Sequence, residues 1–338
     1  MKFDSPRVGV LDAGSRDSIA DVGEVTVGHA TLADDTIQTG VTVIRPHAGD
    51  LYRHPLPAAS VVFNGFGKTV GLVQLDELGV LETPIALTNT FAVGTIATAM
   101  IRTAVKANPG IGRMLPTVNP VVGECNDGFL NDLQAFAVSE AHYTQAYDDA
   151  RADFGQGAVG AGRGMSCFEL KGGIGSASRV ARRGGSRYVV GALVLANFGR
   201  LPQLTIGGVA IGRTLVPACG STSESGSIIV VLATDAPLDA RQLRRLALRC
   251  AAGIARTGSN FAHGSGDIAI AFSTAQGLPD VPDALLDPLF DAAAEAVEQS
   301  IVHALFAAQT VHGRDGHVRP AIRERLPDWR ERISATRS

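Results

Sequence analysis

The 338-residue sequence predicts a single layered α/β domain, and three observations predict it. Five apolar segments of strand length recur along the chain, helical patterns with one buried stripe lie between them, and composition never breaks as it would at a domain boundary. The strand-like segments are Gly40 to Ile44, Ala58 to Phe63, Tyr188 to Ala196, Ile228 to Ala233 and Ile268 to Phe272. Several are apolar at consecutive positions, so they suit a sheet covered on both faces.

The helices are read from their spacing. A first, from about Asn89 to Ala107, is rich in Ala, Thr and Ile and is expected to be mostly buried. A second begins after Pro237 with Asp239 as N-cap and sets Leu243, Leu246, Ala247, Cys250 and Ile254 on one face. A third runs from Asp287, read as N-cap with Pro288 at the first helical position, to Ala308. Its stripe is Leu289, Phe290, Ala293, Val297, Ile301 and Leu305. Residues 311–338, charged and punctuated by prolines beyond Arg319, are expected to form a peripheral tail. No internal repeat of 20 to 50 residues is present.

Composition narrows the function. With 45% hydrophobic residues and 39 glycines the chain can bury a large core, and a formal net charge of -3 gives no reason to expect nucleic acid or an anionic membrane as partner. The N-terminal segment lacks a signal-peptide apolar run and no stretch is long and apolar enough for a membrane span, so a cytoplasmic location is expected. Cys125, Cys167, Cys219 and Cys250 lie far apart with no C-x-x-C pair, which favours reduced, buried thiols over zinc or disulfides.

One formal motif leads nowhere, and the histidines form none. "GQGAVG" at Gly155 to Gly160 fits G-x-G-x-x-G, but a polar, helix-like segment precedes it and glycines crowd the residues after it, so close packing is preferred to dinucleotide binding. The eight histidines are scattered. His29 and His263 read as hydrogen-bonded turn residues, His312 and His317 as solvated ones, and no metal or organic cofactor is expected.

The stretch "STSESGSIIVVLATDAPL", Ser221 to Leu238, sets a linker-like polar run directly against an apolar strand. If the Gly226–Ser227 bond were cut, Ser227 would carry a hydroxyl and a free α-amine on one residue. An α-amine titrates near pH 7.7 to 8.0 in model peptides, so it can take the hydroxyl proton. Gly226 has no Cβ to obstruct attack on its carbonyl. An ordinary strand start explains the same residues.

Longer blocks bear on that choice. "TGVTVIRP" (from Thr39), "NGFGKTVGLVQLDELGVLETPIALTNT" (from Asn64), "NPVVGECNDGFLND" (from Asn119), "GAVGAGRGMSCFELKGGIGSASR" (from Gly157), "GALVLANFGR" (from Gly191), "GSIIVVLATDAPL" (from Gly226) and "GSGDIAIAFST" (from Gly264) occur in this order. Together they resemble the DmpA-type L-aminopeptidase/D-esterase and β-aminopeptidase family, over nearly the whole chain from Asp21 to Gln309. The resemblance implies a four-layer αββα sandwich like that of N-terminal-nucleophile hydrolases, with its own strand connectivity. It implies one domain, residues 1–338, that cleaves itself between Gly226 and Ser227 into an α chain (1–226) and a β chain (227–338), assembled as tetramers of the processed heterodimer.

In that family's terms Ser227 is the nucleophile and Asn197 of "LANFG" helps form the oxyanion hole. Ser265 and Asp267 of "GSGD" are the hydroxyl and acid near the nucleophile. Glu124 of "GECNDG" would hold the free amine of a substrate, and Asn64 is a further candidate near the pocket. The chain departs from the family at Asn126, where many members carry Tyr; an amide can donate a hydrogen bond but cannot act as a phenolic acid. The expected activity is release of N-terminal residues from short peptides, amides or esters. An acyltransferase of the related ornithine acetyltransferase fold, or an unprocessed non-catalytic binding protein, are the alternatives.

Overall fold

In the computed structural model, residues 4–183, 185–215, 226–275 and 281–334 are described. Cys219 and the polar run from Ser221 to Ser225 lie outside them. Among the described residues ten strands build the two large sheets. They are β1 (Thr26–Asp34), β2 (Ile37–Arg45), β3 (Leu56–Gly65), β4 (Val80–Leu81), β5 (Ile85–Asn89), β6 (Val121–Cys125), β7 (Gly173–Arg183), β8 (Ser186–Asn197), β9 (Ser227–Thr234) and β10 (Gly266–Ser273). The helices that matter here are α1 (Leu72–Leu78), α2 (Val93–Ala107), α3 (Glu140–Asp148), α4 (Ala240–Ala247), α5 (Cys250–Arg256) and α6 (Asp287–Ala307).

The smaller sheet has the order β1-β2-β5-β6 and the larger β4-β3-β10-β9-β8-β7. Strands β9 and β10 are parallel; their outer neighbours β8 and β3 run antiparallel to them. Period-two alternation divides the larger sheet between two cores. Ile228, Val230 and Leu232 of β9 join Leu243, Leu246, Val297 and Ile301 of the helices, whereas Ile229, Val231 and Ala233 face Ile44, Ile85 and Val121 of the other sheet. A third core packs Ala30, Val41, Val43 and Ala86 against Ile96, Ala99, Met100 and Tyr143. The layers are therefore helix, sheet, sheet, helix. Each fully buried Val, Leu or Ile contributes roughly 1.5–3 kcal/mol, so the doubly covered central strands anchor the molecule.

Several expectations need correction. The predicted helix after Asp239 is two, α4 and α5, separated at Leu248–Arg249, although Asp239 does cap it, accepting from Gln242 N at 2.7 Å. Asp287 is the first helical residue and not the N-cap, because a 3-10 turn over Asp283–Leu285 leads into α6 through Leu286. Helix α2 is not mostly buried: it roofs the smaller sheet with one face, leaving Ile101 and Val105 in solvent, and Asn89 caps the 3-10 turn before it. His29 lies within β1, not in a turn; its ring nitrogens bond Thr42 Oγ1 and the Gly155 carbonyl, both at 3.0 Å.

The glycine-rich "GQGAVG" segment has no preceding strand and leads only into a 3-10 turn, Gly160–Gly162. Gly157 adopts φ +84°, and a Cβ there would fall 2.6 Å from the Ala307 carbonyl, so close approach of α6 explains it. The segment from Val311 packs on the outer helices: Ile322, Leu326 and Ile333 enter the core, and Trp329 meets Phe306 edge-on at 5.2 Å. Among the described residues no helix is long and apolar enough to cross a membrane.

Candidate active site

The sheet register gathers the candidate residues at one end of the molecule. Asn197, the last residue of β8, pairs with Ser227, the first of β9, which pairs in turn with Gly266, the first of β10. One step along, Asp267 pairs with Asn64 at the end of β3. The alternation that sends Ile229 toward the smaller sheet sends Ser227 the same way, toward the sheet face that carries Val121 and Cys125 of β6. These side chains come from segments up to about 200 residues apart, and parallel pairing of β9 with β10 is what aligns them.

Ser227 is 5% exposed, and its Oγ accepts from Gly266 N at 3.1 Å. The same amide lies 3.3 Å from the Gly226 carbonyl oxygen. A Cβ at Gly226 would sit 2.2 Å from Asn197 O, so only glycine fits that position without moving backbone. Ser265 Oγ donates to Asp267 Oδ1 at 2.7 Å, and both residues are buried. Asn64 turns its Nδ2 to the carbonyls of Ala262 (3.1 Å), His263 (3.2 Å) and Ser265, holding the loop before β10.

Asn197 has a fixed amide. Its Oδ1 accepts from Ser166 N at 2.8 Å and its Nδ2 donates to Asn126 O at 2.9 Å, which leaves the second Nδ2 hydrogen for another acceptor. Asn126 contributes that carbonyl, while its exposed side chain closes an Asx turn by accepting from Gly128 N at 2.8 Å. Glu124 is 2% exposed; Oε1 accepts from Lys68 N at 2.8 Å and Oε2 from the Thr90 hydroxyl. A Cβ placed on Gly67 would be 3.5 Å from Glu124 Oε1 and 3.8 Å from Gly266 Cα, so a single glycine separates this carboxylate from the backbone beside Ser227.

Behind the site, burial and the nearby Glu124 and Asp267 carboxylates push the Cys125 thiol well up, so it stays protonated; Sγ donates to Leu195 O at 3.6 Å. Cys125 and Cys250 are free thiols, and both are buried, as is Cys167. No group of three or more metal-ligating side chains occurs among the described residues. At the rim stand the exposed Phe66, Phe91 and Phe136, the last two stacked at 5.6 Å. Sequence reasoning missed this rim, and also the buried Asp127 and Lys171, whose neighbours give no motif.

A model of peptidase family S58 matches residues 17–319, nine-tenths of the chain. The chain belongs to peptidase family S58. It is 37% identical to the β-peptidyl aminopeptidase BapA of Sphingosinicella microcystinivorans, across 90% of this chain and 85% of that one. Among solved structures, the PH0078 protein of Pyrococcus horikoshii OT3 matches with TM-score 0.91 and 46% identity over 96% of this chain and 97% of its own. A Burkholderia sp. β-aminopeptidase matches with TM-score 0.89 and 41% identity over 96% and 97%. The L-aminopeptidase D-Ala-esterase/amidase of Ochrobactrum anthropi, described as a prototype serine aminopeptidase and a variant of the Ntn-hydrolase fold, matches with TM-score 0.85 and 34% identity over 97% and 98%. This S58 member is thus a hydrolase on an Ntn-type α/β sandwich, as the sequence blocks implied.

Proposed function

We propose that this chain is a self-processed serine aminopeptidase in which Ser227, freed by cleavage of the Gly226–Ser227 bond, is the nucleophile. The row Asn197, Ser227, Gly266 supports this most directly, since it sets a hydroxyl between two neutral donors. In processing, Ser227 Oγ attacks the Gly226 carbonyl carbon while Gly266 N–H, 3.3 Å from that oxygen, takes up the developing charge. The hydroxyl proton passes to the departing amide nitrogen, an ester forms, and water releases the α chain (1–226) from the β chain (227–338).

In turnover the new α-amine takes the Ser227 proton as Oγ attacks a substrate carbonyl, and the leaving amine receives it. The Ser265–Asp267 pair holds that amine and relays the proton. Asn197 Nδ2 stabilises the oxyanion, and water resolves the acyl-enzyme. Glu124 keeps lone pairs free for the substrate ammonium beside its two present partners. The phenylalanine rim would receive the side chain, and Asn64 and Asn126 serve as loop holders around the pocket. The substrates are short peptides, amides or esters with a free amine, β-residues included, as the relatives' names suggest for those proteins.

Assembly as tetramers of processed heterodimers and a reducing, cytoplasmic setting belong to the same proposal, the second resting on the free thiols of Cys125 and Cys250. No relative described above is named as an acyltransferase or a binding protein. The test compares β-alanyl and L-alanyl p-nitroanilides with their N-acetyl forms, with and without hydroxylamine. Turnover confined to the free amines, with Glu124→Gln raising KM, supports the reading. Equal turnover of acetylated substrates refutes the role of Glu124; hydroxylamine should divert the acyl-enzyme to hydroxamate, and free acid alone at high hydroxylamine would refute an acyl-enzyme.

A further inference from the structure

Lys171 is wholly buried, and its ammonium donates to three carbonyls: Gly162 O at 2.9 Å, Met165 O at 2.7 Å and Gly172 O at 2.8 Å. An ammonium has three hydrogens, so none is left for proton transfer. Burying such a charge costs several kcal/mol, a cost that a leucine or methionine of similar length would avoid. What the ammonium does is gather the carbonyls of residues 162–165, and the next amide in that loop, Ser166 N–H, is the one that holds Asn197 Oδ1 at 2.8 Å.

The other side of Asn197 is braced in the same way. Its Nδ2 bonds Asn126 O, and the following residue, Asp127, is wholly buried with Oδ1 accepting from Asn131 Nδ2 at 3.0 Å. The two loops press together at Gly164, where a Cβ would lie 2.8 Å from Asp127 Cβ. Burial pushes the Lys171 ammonium well down and the Asp127 carboxyl up, and the opposite charge of each partly offsets that for the other. The orientation they protect matters: a carboxamide turned by half a revolution would aim lone pairs, not hydrogens, at a developing oxyanion.

We propose that Lys171 is a positioning residue: by gathering the loop over residues 162–166 it keeps the Ser166 amide on Asn197 Oδ1 and one Asn197 Nδ2 hydrogen directed at the oxyanion, with Asp127 bracing the opposite loop. The proposal rests on the reading of Asn197 as an oxyanion donor. It is tested with Lys171→Met, Asn197→Ala, their double variant and the milder, isosteric Asp127→Asn, measuring KM and kcat per titrated active site on an aminoacyl p-nitroanilide. Lys171→Met lowers kcat about 10- to 100-fold with KM within about twofold, and in the Asn197→Ala background the same change costs less than about threefold. At pH 8, where the Asp127 carboxyl is charged, Asp127→Asn lowers kcat about 3- to 10-fold. An unchanged kcat per titrated site in Lys171→Met, or an equal loss in both backgrounds, overturns the proposal. If Lys171→Met does not fold, Asp127→Asn decides, and full kcat there overturns it. Full kcat in Asn197→Ala alone removes the Asn197 reading and this proposal with it, a pattern distinct from the others.

Discussion

Glu295→Ala probes how the two halves of the chain stay joined if the Gly226–Ser227 bond is cut. Glu295, on α6 beyond that bond, accepts from Val10 N (3.0 Å), Leu11 N (3.0 Å) and Arg179 Nε (3.3 Å), all of which precede it. Arg179 is wholly buried, and its remaining donors go to Asp17, Ser178 O, Val8 O and Gln299. Removing one partner of a buried ion pair costs about 3–5 kcal/mol. Asp17 still faces the guanidinium at 3.1 Å, and the exposed Val10 amide can turn to water, so the low end applies, about 3 kcal/mol. Glu295→Gln keeps the acceptor and loses the charge, for about half of that. Urea unfolding in a Ser227→Ala background, where a single chain unfolds, should show the midpoint falling by about 1 M for Glu295→Ala. A loss below about 0.5 kcal/mol, the range of an ordinary surface change, would refute the assignment of Arg179 and Glu295 as the clasp.

The same geometry sets other outcomes. Burial pushes the Asp127 carboxyl up to about 7 from the usual 3.8, despite hydrogen bonds from Thr39 and Asn131. Between those values the folded chain keeps a proton the unfolded chain has released, so stability falls as pH rises, and Asp127→Asn should gain about 2 kcal/mol on wild type between pH 5 and pH 8 in urea titrations. A pH-independent gap would contradict it. Burial likewise holds His29 down to about 4 from 6.5, so its imidazole should stay neutral by NMR at pH 5.5 and the fold should lose stability on acidification through that window. A protonated ring at pH 5.5 would show that the cavity admits water. Asn197→Ala should cut kcat about 10²- to 10³-fold with little change in KM, read by steady-state kinetics; a KM effect alone would assign Asn197 to binding.

The central strands were legible because burial on both faces leaves a continuous apolar run, as in Ile228 to Ala233. Strand β7 was not, since "GIGSASRVARR" is small and polar for specific reasons. A Cβ on Gly175 would meet Ser300 O at 1.9 Å, Ser176 Oγ bonds Ala192 O at 2.7 Å, and Arg179 serves the clasp. Strands β5 and β6 are five residues each, too short for alternation to register. At the site, Ser227 was raised by the polar run before its strand, but Asn197, Ser265 and Asp267 could be named only through the ordered blocks, because spacing alone says nothing of strands that pair across 30 residues or more. Lys171 stayed hidden because a lysine beside glycines reads as a solvated cation; the partners that explain it are carbonyls, which carry no residue identity.

The most direct test of Ser227 as an N-terminal nucleophile is denaturing intact-mass spectrometry of the purified chain beside its Ser227→Ala variant. The account predicts two fragments ending at Gly226 and beginning at Ser227 in the wild type, and one intact chain in the variant. A wild-type chain that stays whole after prolonged incubation, or a variant that is still cut there, would contradict it.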